Sequence, residues 1–342
     1  MTSMQPVTIV GGGLAGLSLG IALRKAGVAV EVFEAGDYPR HRVCGEFVTG
    51  LDDSTIEKLG IDSAFVGAGC HRSVTWFLRE HAAGRQTLPE PARAISRFAL
   101  DARLAELFVA GGGKLVRNVR FKLPHRKPGL VQANGRRSSG SSPWMGLKFH
   151  IRDVTTVDDL ELHLGDKAYV GLSSVEDGWL NVCGLFRRRP GLQFARDDAL
   201  PAYLRASGLH SLAERLSTAK IRPASRCAVA GFMSDRYVHG DEVLRLGDAC
   251  ATIPPFTGNG MAVAFTSAAI AVDPLVAWAR GERNWDEVTR SIHVMLRKQF
   301  QPRLAGASVL NPFFLNPVLQ RCLWVAMRSG LLPLTTLYRL LH

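Results

Sequence analysis

The chain has 342 residues, of which 46% are hydrophobic and 21% are charged. A chain of this length and composition can bury a large core, so we expect one large domain or two connected domains and exclude global disorder. The formal net charge is +12. No long Lys/Arg run and no helix-turn-helix, zinc-finger or RNP signature accompanies that charge, which argues against a nucleic-acid partner. A compositional preference for arginine explains the net positive charge as well as a phosphate- or carboxylate-bearing ligand does.

The cysteines are scattered along the chain and form no C-x-x-C pattern or Cys/His ligand spacing, so we expect no metal site. Free thiols indicate a reducing, cytoplasmic location. The N-terminus leads directly into a strand without a signal peptide, and no apolar run reaches the ~18–20 residues of a membrane span. The sequence therefore predicts a soluble protein. The cysteines are Cys44, Cys70, Cys183, Cys227, Cys250 and Cys322.

The first motif along the chain predicts a dinucleotide-binding turn. The segment VTIVGGGLAGLSLGIALRKAGVAVEVFEA, residues 7–35, has the pattern of strand, glycine turn, helix and strand. Gly11, Gly13 and Gly16 fit G-x-G-x-x-G: the first permits the tight turn, the second lets the backbone approach a pyrophosphate, and the third lets helix pack on strand. Glu34, at the end of the second strand, can accept hydrogen bonds from the ribose hydroxyls of an adenosine.

A second glycine-rich segment, EVLRLGDACATIPPFTGNGMAVAF, covers residues 242–265. It predicts a short strand, the pair Gly247-Asp248, a proline-containing loop and a long helix that begins near Gly258 and Gly260. This arrangement suits FAD, because Asp248 can bind the ribityl hydroxyls and the amides at the helix start can stabilise negative charge on the reduced flavin. An ordinary loop before an N-capped helix explains the same residues without a ligand.

Together with ISRFALDARLAELF, residues 95–108, these segments resemble the flavoprotein superfamily that contains class A aromatic monooxygenases, flavin halogenases and geranylgeranyl reductases. The resemblance implies FAD and an α/β fold: a glutathione-reductase-type, Rossmann-like FAD-binding domain, an antiparallel β-sheet substrate domain and a helical C-terminus. It also implies that Arg97 approaches FAD and that Asp248 holds the ribityl chain. A solvated residue in the first turn of a helix is the alternative interpretation of Arg97.

Two departures from the superfamily pattern affect the expected chemistry. The Asp-Gly pair of the monooxygenases, which lies near FAD and the NAD(P)H route, is replaced by Asn134-Gly135 after a short connection. Asparagine keeps the turn and loses the charge, so NAD(P)H is a possible reductant and a separate reductase is the alternative. The Trp-x-Trp-x-Ile-Pro segment of the halogenases is absent, which argues against halogenation.

The segment HRVCGEFVTG, residues 41–50, follows the second strand, where superfamily members run a loop towards the flavin. Its VCGE turn is similar to that of geranylgeranyl-reductase-like proteins. Cys44 and Glu46 are therefore the candidate catalytic residues, as proton donors or as groups that tune the ring. The alternatives are a small buried residue for Cys44 and a helix-entry cap for Glu46. Residues 40–42, Arg-His-Arg, either attract phosphates or an acidic substrate or are exposed loop charges.

From Met145 the sequence alternates apolar and polar residues, which predicts an antiparallel sheet with one covered face. Phe149, Tyr169 and Trp179 are candidate walls of a substrate cavity or plain core aromatics. His150 and His163 lie on these strands without a metal-ligand pattern, and we expect them to be structural.

The expected organisation is a discontinuous FAD-binding domain over 1–140 and 220–300, a β-sheet substrate domain over 60–96 and 141–219, and a helical C-terminal segment over 301–342. The expected function is FAD-dependent redox chemistry on a lipophilic, isoprenoid or polyketide-like small molecule, by C=C reduction or a related reaction. An aromatic-hydroxylating monooxygenase and a non-catalytic FAD-binding protein are the alternatives. The C-terminal segment is too interrupted to span a bilayer, and it caps the core, lines a substrate entrance or touches a membrane surface.

Overall fold

The computed structural model describes residues 4–122, 127–136, 142–195, 198–231, 236–237, 243–253, 258–331 and 338. Within these ranges the helices are α1 (Leu14–Lys25), α2 (Asp53–Leu59), α3 (Arg97–Ala110), α4 (Ala199–Ala206), α5 (His210–Ser217), α6 (Gly260–Ala279), α7 (Trp285–Leu315) and α8 (Pro317–Arg328). The strands are β1 (Val7–Val10), β2 (Val30–Phe33), β3 (Phe47–Val48), β4 (Gly69–Leu78), β5 (His81–Ala94), β6 (Lys114–Val116), β7 (Leu130–Gln132), β8 (Trp144–Arg152), β9 (Leu160–Gly165), β10 (Ala168–Ser174), β11 (Leu180–Arg187), β12 (Lys220–Ala230), β13 (Arg236–Tyr237), β14 (Leu244–Arg245) and β15 (Ala251–Thr252).

A five-stranded parallel sheet, in the order β14-β7-β1-β2-β6, carries the predicted nucleotide-binding unit. β1 turns directly into α1, which returns the chain to β2, as expected for a right-handed βαβ unit. The apolar side chains of α1 are buried against α3 and α6. The glycine turn is therefore held at the carboxyl edge of the central strand, where open α/β sheets bind their ligands.

The second sheet has eight strands in the order β12-β8-β11-β10-β9-β4-β5-β3. Its neighbours are antiparallel except for the parallel pair β4–β9. One face packs on α4 and α5 through a buried apolar cluster that includes Phe149 and Val182. Successive side chains of a strand point to opposite faces, so Lys148 and Asn181 lie on the other face. We call it the inner face of the eight-stranded sheet, and it contacts residues 41–46.

The pairing of β12 with β8 is interrupted between Arg222 and Cys227. At this irregularity, the Ser225 hydroxyl accepts a hydrogen bond from the His150 N–H (2.7 Å) and donates one to the Arg222 carbonyl (2.6 Å). A side chain thus satisfies a backbone donor of β8 that regular pairing would satisfy with a carbonyl. The sequence placed residues 220–230 in the FAD-binding domain, whereas β12 pairs within the eight-stranded sheet. The domain boundaries otherwise stay a prediction.

Helices α7 and α8 complete the described fold. The first half of α7 is packed into the core around the parallel sheet. The end of α7 lies against β9 and β10, and α8 lies against β4 and β5. There Phe314, Leu323 and Met327 are buried with Leu164 and Tyr169 of the eight-stranded sheet. The predicted helical C-terminus is observed in α8, which ends at Arg328.

Helix α6 corrects one expectation. Its 20 residues are long and apolar enough to cross a membrane, although the sequence analysis found no such run. Asp273 is the one charged residue within this run. In the structure 67% of the stretch is buried inside the fold, where α6 packs on α1, α2 and α7. The predicted mixed α/β class, with a Rossmann-like unit, a largely antiparallel sheet and a helical C-terminus, is confirmed.

Candidate functional site

The glycines of the first turn have three different structural roles. Gly11 has φ +109°, and a Cβ there would lie 2.3 Å from the Ala133 carbonyl oxygen. A Cβ on Gly16 would lie 2.0 Å from the Gly11 carbonyl oxygen, so both positions require glycine for close backbone approach. A Cβ on Gly13, the N-cap of α1, would meet no heavy atom within 4 Å. Gly13 therefore borders open space at a helix N-terminus, as a pyrophosphate cradle requires.

Glu34 is buried at the end of β2 and faces this turn. Its carboxylate accepts hydrogen bonds from the Gly12 N–H (2.8 Å), the Gly36 N–H (3.0 Å) and the Arg40 guanidinium (3.0 Å). Arg40 is thus a partner of Glu34 rather than a free loop charge. Contact of Glu34 with a ribose stays a prediction, and its position beside Gly12 suits that role.

The second glycine-rich segment lies beside the same region. Gly247 has φ +59° and its N–H donates to the Ser267 hydroxyl of α6 (2.8 Å). Burial raises the pKa of Asp248, although the positive charges of Arg136 and Arg97 act to lower it. The charge of Arg97, which the resemblance also assigns to FAD, therefore acts on Asp248.

The start of α6 has the same open character as the start of α1. A Cβ on Gly260 would meet nothing within 4 Å. Gly258, in contrast, has φ +71°, and a Cβ there would lie 2.6 Å from the Phe47 ring, so only glycine fits. The buried Thr49 hydroxyl lies 3.2 Å from the Asn259 side-chain oxygen. The predicted flavin loop therefore contacts the start of α6. Residues 254–257 of the same motif lie outside the described residues.

Cys44 lies in a tight turn that is attached to the inner face of the eight-stranded sheet. The Asn181 side-chain amide donates to the carbonyls of Cys44 (3.0 Å) and Gly45 (2.9 Å), and the Glu46 N–H lies 3.4 Å from the Cys44 sulfur. Burial raises the pKa of Cys44, so its thiol is protonated at neutral pH and can act only as an acid or a spacer. The catalytic role of Cys44 stays a prediction.

Glu46 is at the centre of a buried ionic cluster that the sequence did not reveal. Its backbone has φ +60°. One carboxylate oxygen accepts from Lys148 Nζ (2.9 Å) and from the Arg97 N–H (3.0 Å), and the other lies 2.5 Å from His150 Nε2. Burial acts to raise the pKa of Glu46, but the hydrogen bonds and charges of His150 and Lys148 outweigh burial and lower it. Glu46 is therefore a carboxylate that caps the first residue of α3, which favours the predicted helix-entry role over proton donation.

His41 extends this cluster. Its ring stacks on Phe98 at a centroid distance of 4.5 Å, and its Nδ1 lies 3.3 Å from Lys148 Nζ. The ligand atoms of His41, Glu46 and His150 lie within 4.8 Å of one another, as in a metal site. The Lys148 ammonium already supplies a positive charge between Glu46 and His41, which disfavours a divalent cation there.

The sequence missed Lys148, although it contained a signal. Lys148 and His150 are two residues apart on a strand whose alternate residues are apolar, so both point to one covered face. Lysine is almost never fully buried unless it is paired. A buried lysine predicts a carboxylate partner, but Glu46 lies 102 positions away in the sequence, and only the tertiary fold identifies it.

Arg97 and Arg42 form a second ionic group around the buried Asp101. Arg97 donates two hydrogen bonds to the Asp101 carboxylate (2.8 Å each), and Arg42 Nε donates a third (2.9 Å). The interactions with Asp101 raise the pKa of Arg97 further despite its burial. Arg97 is thus a fixed cation rather than a solvated first-turn residue. Its approach to FAD stays a prediction.

The three aromatic candidates for a cavity wall differ in position. Tyr169 is buried on the inner face, where Trp76 and Phe314 also pack, with their ring centroids 5.7 Å apart. Phe149 fits its second interpretation, a plain core aromatic, because it points to the opposite face and packs with α4 and α5. Trp179 stacks under the Arg152 guanidinium, 3.7 Å from the ring centroid.

Acid should destabilise the fold through the Glu46 cluster. Burial and the neighbouring cations lower the pKa of His41 from 6.5 to about 4, so the unfolded chain binds a proton between these pH values that the folded chain does not. Because the pKa of Glu46 is lowered in the folded protein, the free energy of unfolding should decrease further once the pH drops below 4.5, the ordinary pKa of a glutamate. We expect the free energy of unfolding, measured by urea denaturation, to fall as the pH drops from about 6.5 to about 4. The lowered pKa values of the buried His71 and His163 contribute to the same fall, so His41→Asn should make it shallower without abolishing it. A pH profile that His41→Asn leaves unchanged would contradict the assignment.

Comparison with known families identifies the nucleotide site. Residues 9–47 match the family model of NAD(P)-binding Rossmann-like domains, and residues 125–288 match that of FAD binding domains. The chain therefore contains a FAD-binding domain and resembles the FAD-dependent oxidoreductases of the class A flavin monooxygenase superfamily. The open positions at Gly13 and Gly260 fit FAD. When it is bound, FAD supplies two-electron redox chemistry. No curated protein matches the flavoprotein in sequence.

Solved structures share the fold of the flavoprotein at low sequence identity. The flavin-dependent brominase Bmp2 is 18% identical with a TM-score of 0.75, and the match covers 98% of this chain and 92% of the brominase. PqsL, a probable FAD-dependent monooxygenase from Pseudomonas aeruginosa, is 15% identical with a TM-score of 0.70, over 95% of this chain and 98% of PqsL. The halogenase PltM is 15% identical with a TM-score of 0.72, and the match covers 92% of this chain and 77% of PltM.

These comparisons favour the monooxygenase alternative over C=C reduction. The similarity to geranylgeranyl reductases is not shown by these comparisons.

Proposed function

We propose that this flavoprotein is a monooxygenase that hydroxylates a lipophilic aromatic substrate. The observation that carries the proposal is the composition of the inner sheet face. Close to the Cys44 turn the face presents the polar side chains of Lys148 and Asn181, and farther along it carries a mostly apolar cluster that includes Trp76 and Tyr169. Tyr169 and its neighbours are packed under α7 and α8, so the proposed position of a flat ring is the edge of this cluster next to Lys148 and Asn181, where aromatic side chains exclude water from the reacting atoms.

The superfamily and one solved relative support this substrate class. The P. aeruginosa PqsL structure holds 2-aminobenzoylacetate, an aromatic ketoacid, and matches 92% of this chain at 14% identity with a TM-score of 0.71. The Cys44 thiol is protonated at neutral pH and lies in the turn that contacts the start of α6 through β3. It can hold a proton near the flavin, while Glu46 positions the turn and α3.

Oxygen dependence tests the reaction type. The FAD-loaded protein is reduced by light, mixed with 2-aminobenzoylacetate and a panel of phenols and aromatic amines, and analysed by mass spectrometry. We expect a product that gains one oxygen atom from isotopically labelled dioxygen and no product without dioxygen. A product that gains two hydrogens under anaerobic conditions would establish reduction instead. Consumption of no substrate in the panel, with dioxygen present and FAD bound, would favour the non-catalytic alternative.

We further propose that a separate reductase supplies the electrons. Asn134 is neutral where the monooxygenases carry an aspartate, and its Cα would lie 2.6 Å from a Cβ on Gly11. The backbone of Asn134 therefore packs directly against the glycine turn at Gly11. We expect stopped-flow reduction of the bound FAD by NADPH to be slower than about 1 s⁻¹, below ordinary turnover rates of about 1–10³ s⁻¹. Addition of a flavin reductase should restore fast reduction, and rapid reduction by NADPH alone would contradict the proposal.

A further inference from the structure

The last part of the chain has a strongly one-sided charge. No Asp or Glu follows Glu287, whereas the cations after it are Arg290, Arg297, Lys298, Arg303, Arg321, Arg328 and Arg339. These seven residues account for more than half of the formal net charge of +12. An acid-free basic segment of this length favours an anionic partner.

Helix α8 combines that charge with two different apolar faces. Leu323 and Met327 are buried against the eight-stranded sheet. The Gln320 side chain, which is also buried, donates to the carbonyls of Gly165 (2.8 Å) and Phe314 (2.7 Å) and fixes the helix on the fold. The orientation of α8 is therefore determined by its inner face.

The opposite face of α8 is apolar and exposed. Val318, Cys322 and Val325 are spaced at i, i+4 and i+7 and lie on one face; the two valines have exposed fractions of 67% and 57%. The exposed Arg321 and Arg328 flank this face, and the Arg328 guanidinium lies 4.9 Å from the centre of the Trp324 ring. Leu331, just beyond the helix, is 78% exposed. We call the set Val318, Arg321, Cys322, Val325 and Arg328 the α8 outer face.

We propose that the α8 outer face docks the enzyme on the surface of an anionic phospholipid bilayer. Valines flanked by arginines on a fixed helix match the pattern of an interfacial helix, in which apolar side chains enter the acyl boundary and cations contact the headgroups. Each cation near an anionic leaflet adds to binding, and salt weakens that contribution. Helix α8 and the part of α7 after Glu287 carry no acidic residue of their own that would repel an anionic surface. The enzyme contacts one leaflet, and α6 stays in the core.

Vesicle flotation tests the proposal on the FAD-loaded full chain. We expect binding to vesicles of phosphatidylcholine with phosphatidylglycerol, weak binding to phosphatidylcholine alone, and release at high salt. The double variant Val318→Asp/Val325→Asp should reduce the bound-to-free ratio by about tenfold or more, because it places two anions at the anionic surface. The matched control is Val66→Asp/Val157→Asp, since these valines are 69% and 60% exposed elsewhere on the protein. The control should bind like the parent.

A label distinguishes docking through this face from nonspecific attraction. An environment-sensitive fluorophore on Cys322, in a Cys70→Ser background, should shift to the blue with anionic vesicles. The same fluorophore on the exposed Cys70, in a Cys322→Ser background, should not. Equal binding of both double variants, an unchanged Cys322 label, or equal binding to uncharged vesicles would overturn the proposal. So would a dimer without vesicles that Val318→Asp/Val325→Asp converts to a monomer, because the face would then bind a second copy.

Discussion

Replacing Gly13 by valine should give a folded protein that does not bind FAD. The backbone at Gly13 has φ −90° and ψ −168°, an extended conformation that valine adopts readily. The added side chain meets no protein atom near its Cβ, so the fold should tolerate it, whereas a pyrophosphate on the α1 amides would collide with it. We expect the flavin absorbance per protein to fall to background, with the circular dichroism spectrum unchanged.

Two further variants make the Gly13 result interpretable. Gly13→Ser adds a smaller side chain that suits an N-cap, and it should retain more FAD than the valine variant. Gly11→Ala forces a Cβ to within 2.3 Å of the Ala133 carbonyl oxygen at φ +109°, and it should destabilise the apoprotein itself. Stoichiometric FAD in a folded Gly13→Val protein would show that the pyrophosphate lies elsewhere.

The second large effect is expected at the buried pair of Glu46 and Lys148. Lys148→Met leaves the Glu46 carboxylate buried with one cationic partner fewer, and Glu46→Gln leaves the Lys148 ammonium without its anion. Breaking a buried pair by removing one partner costs about 3–5 kcal/mol. The double variant should cost clearly less than the sum of the single variants, because it leaves no uncompensated charge. Urea denaturation at equal FAD saturation measures this difference, since bound cofactor itself adds stability.

Cys44→Ala is the matched control for the two single variants and the double variant, because it changes the same turn and leaves the side chains of the ion pair intact. It should change the free energy of unfolding by about 1 kcal/mol, as expected for a small buried group. Its turnover rate, measured on FAD-saturated protein, then decides the role of Cys44. A fall of about 10²-fold or more would establish a proton donor, and an unchanged rate would establish a spacer. If Lys148→Met changes stability by no more than Cys44→Ala does, the ionic cluster is not a structural centre.

The sequence predicted the nucleotide unit well because its requirements are local. Gly11, Gly13, Gly16 and Glu34 lie within one βαβ unit, and each position is constrained by backbone geometry that a short segment can encode. The cluster around Glu46 could not be predicted in this way. His41, Glu46 and Lys148 meet only when a loop of the FAD-binding unit packs on a strand of the other sheet, so no sequence spacing relates them.

The aromatic residues show a different limit. Alternation along β8 predicted correctly that successive side chains point to opposite faces, but it does not say which face meets the loop and which meets α4 and α5. The sequence therefore left Phe149 open between a cavity wall and a core aromatic, and the structure places it in the core with α4 and α5. Its neighbour Lys148 carried the missing information, because a buried cation identifies the face that holds an anion.

The irregular pairing of β12 also bears on aggregation. β12 is the edge strand of the eight-stranded sheet, and an exposed edge is a template on which another chain can add a strand. Pro223 lies within the interruption after Arg222 and has no N–H to offer an incoming strand. The Ser225 hydroxyl bonds inward to the His150 N–H and the Arg222 carbonyl. The edge is therefore irregular and lacks a donor at Pro223, and we expect this to hinder the addition of a strand from another chain.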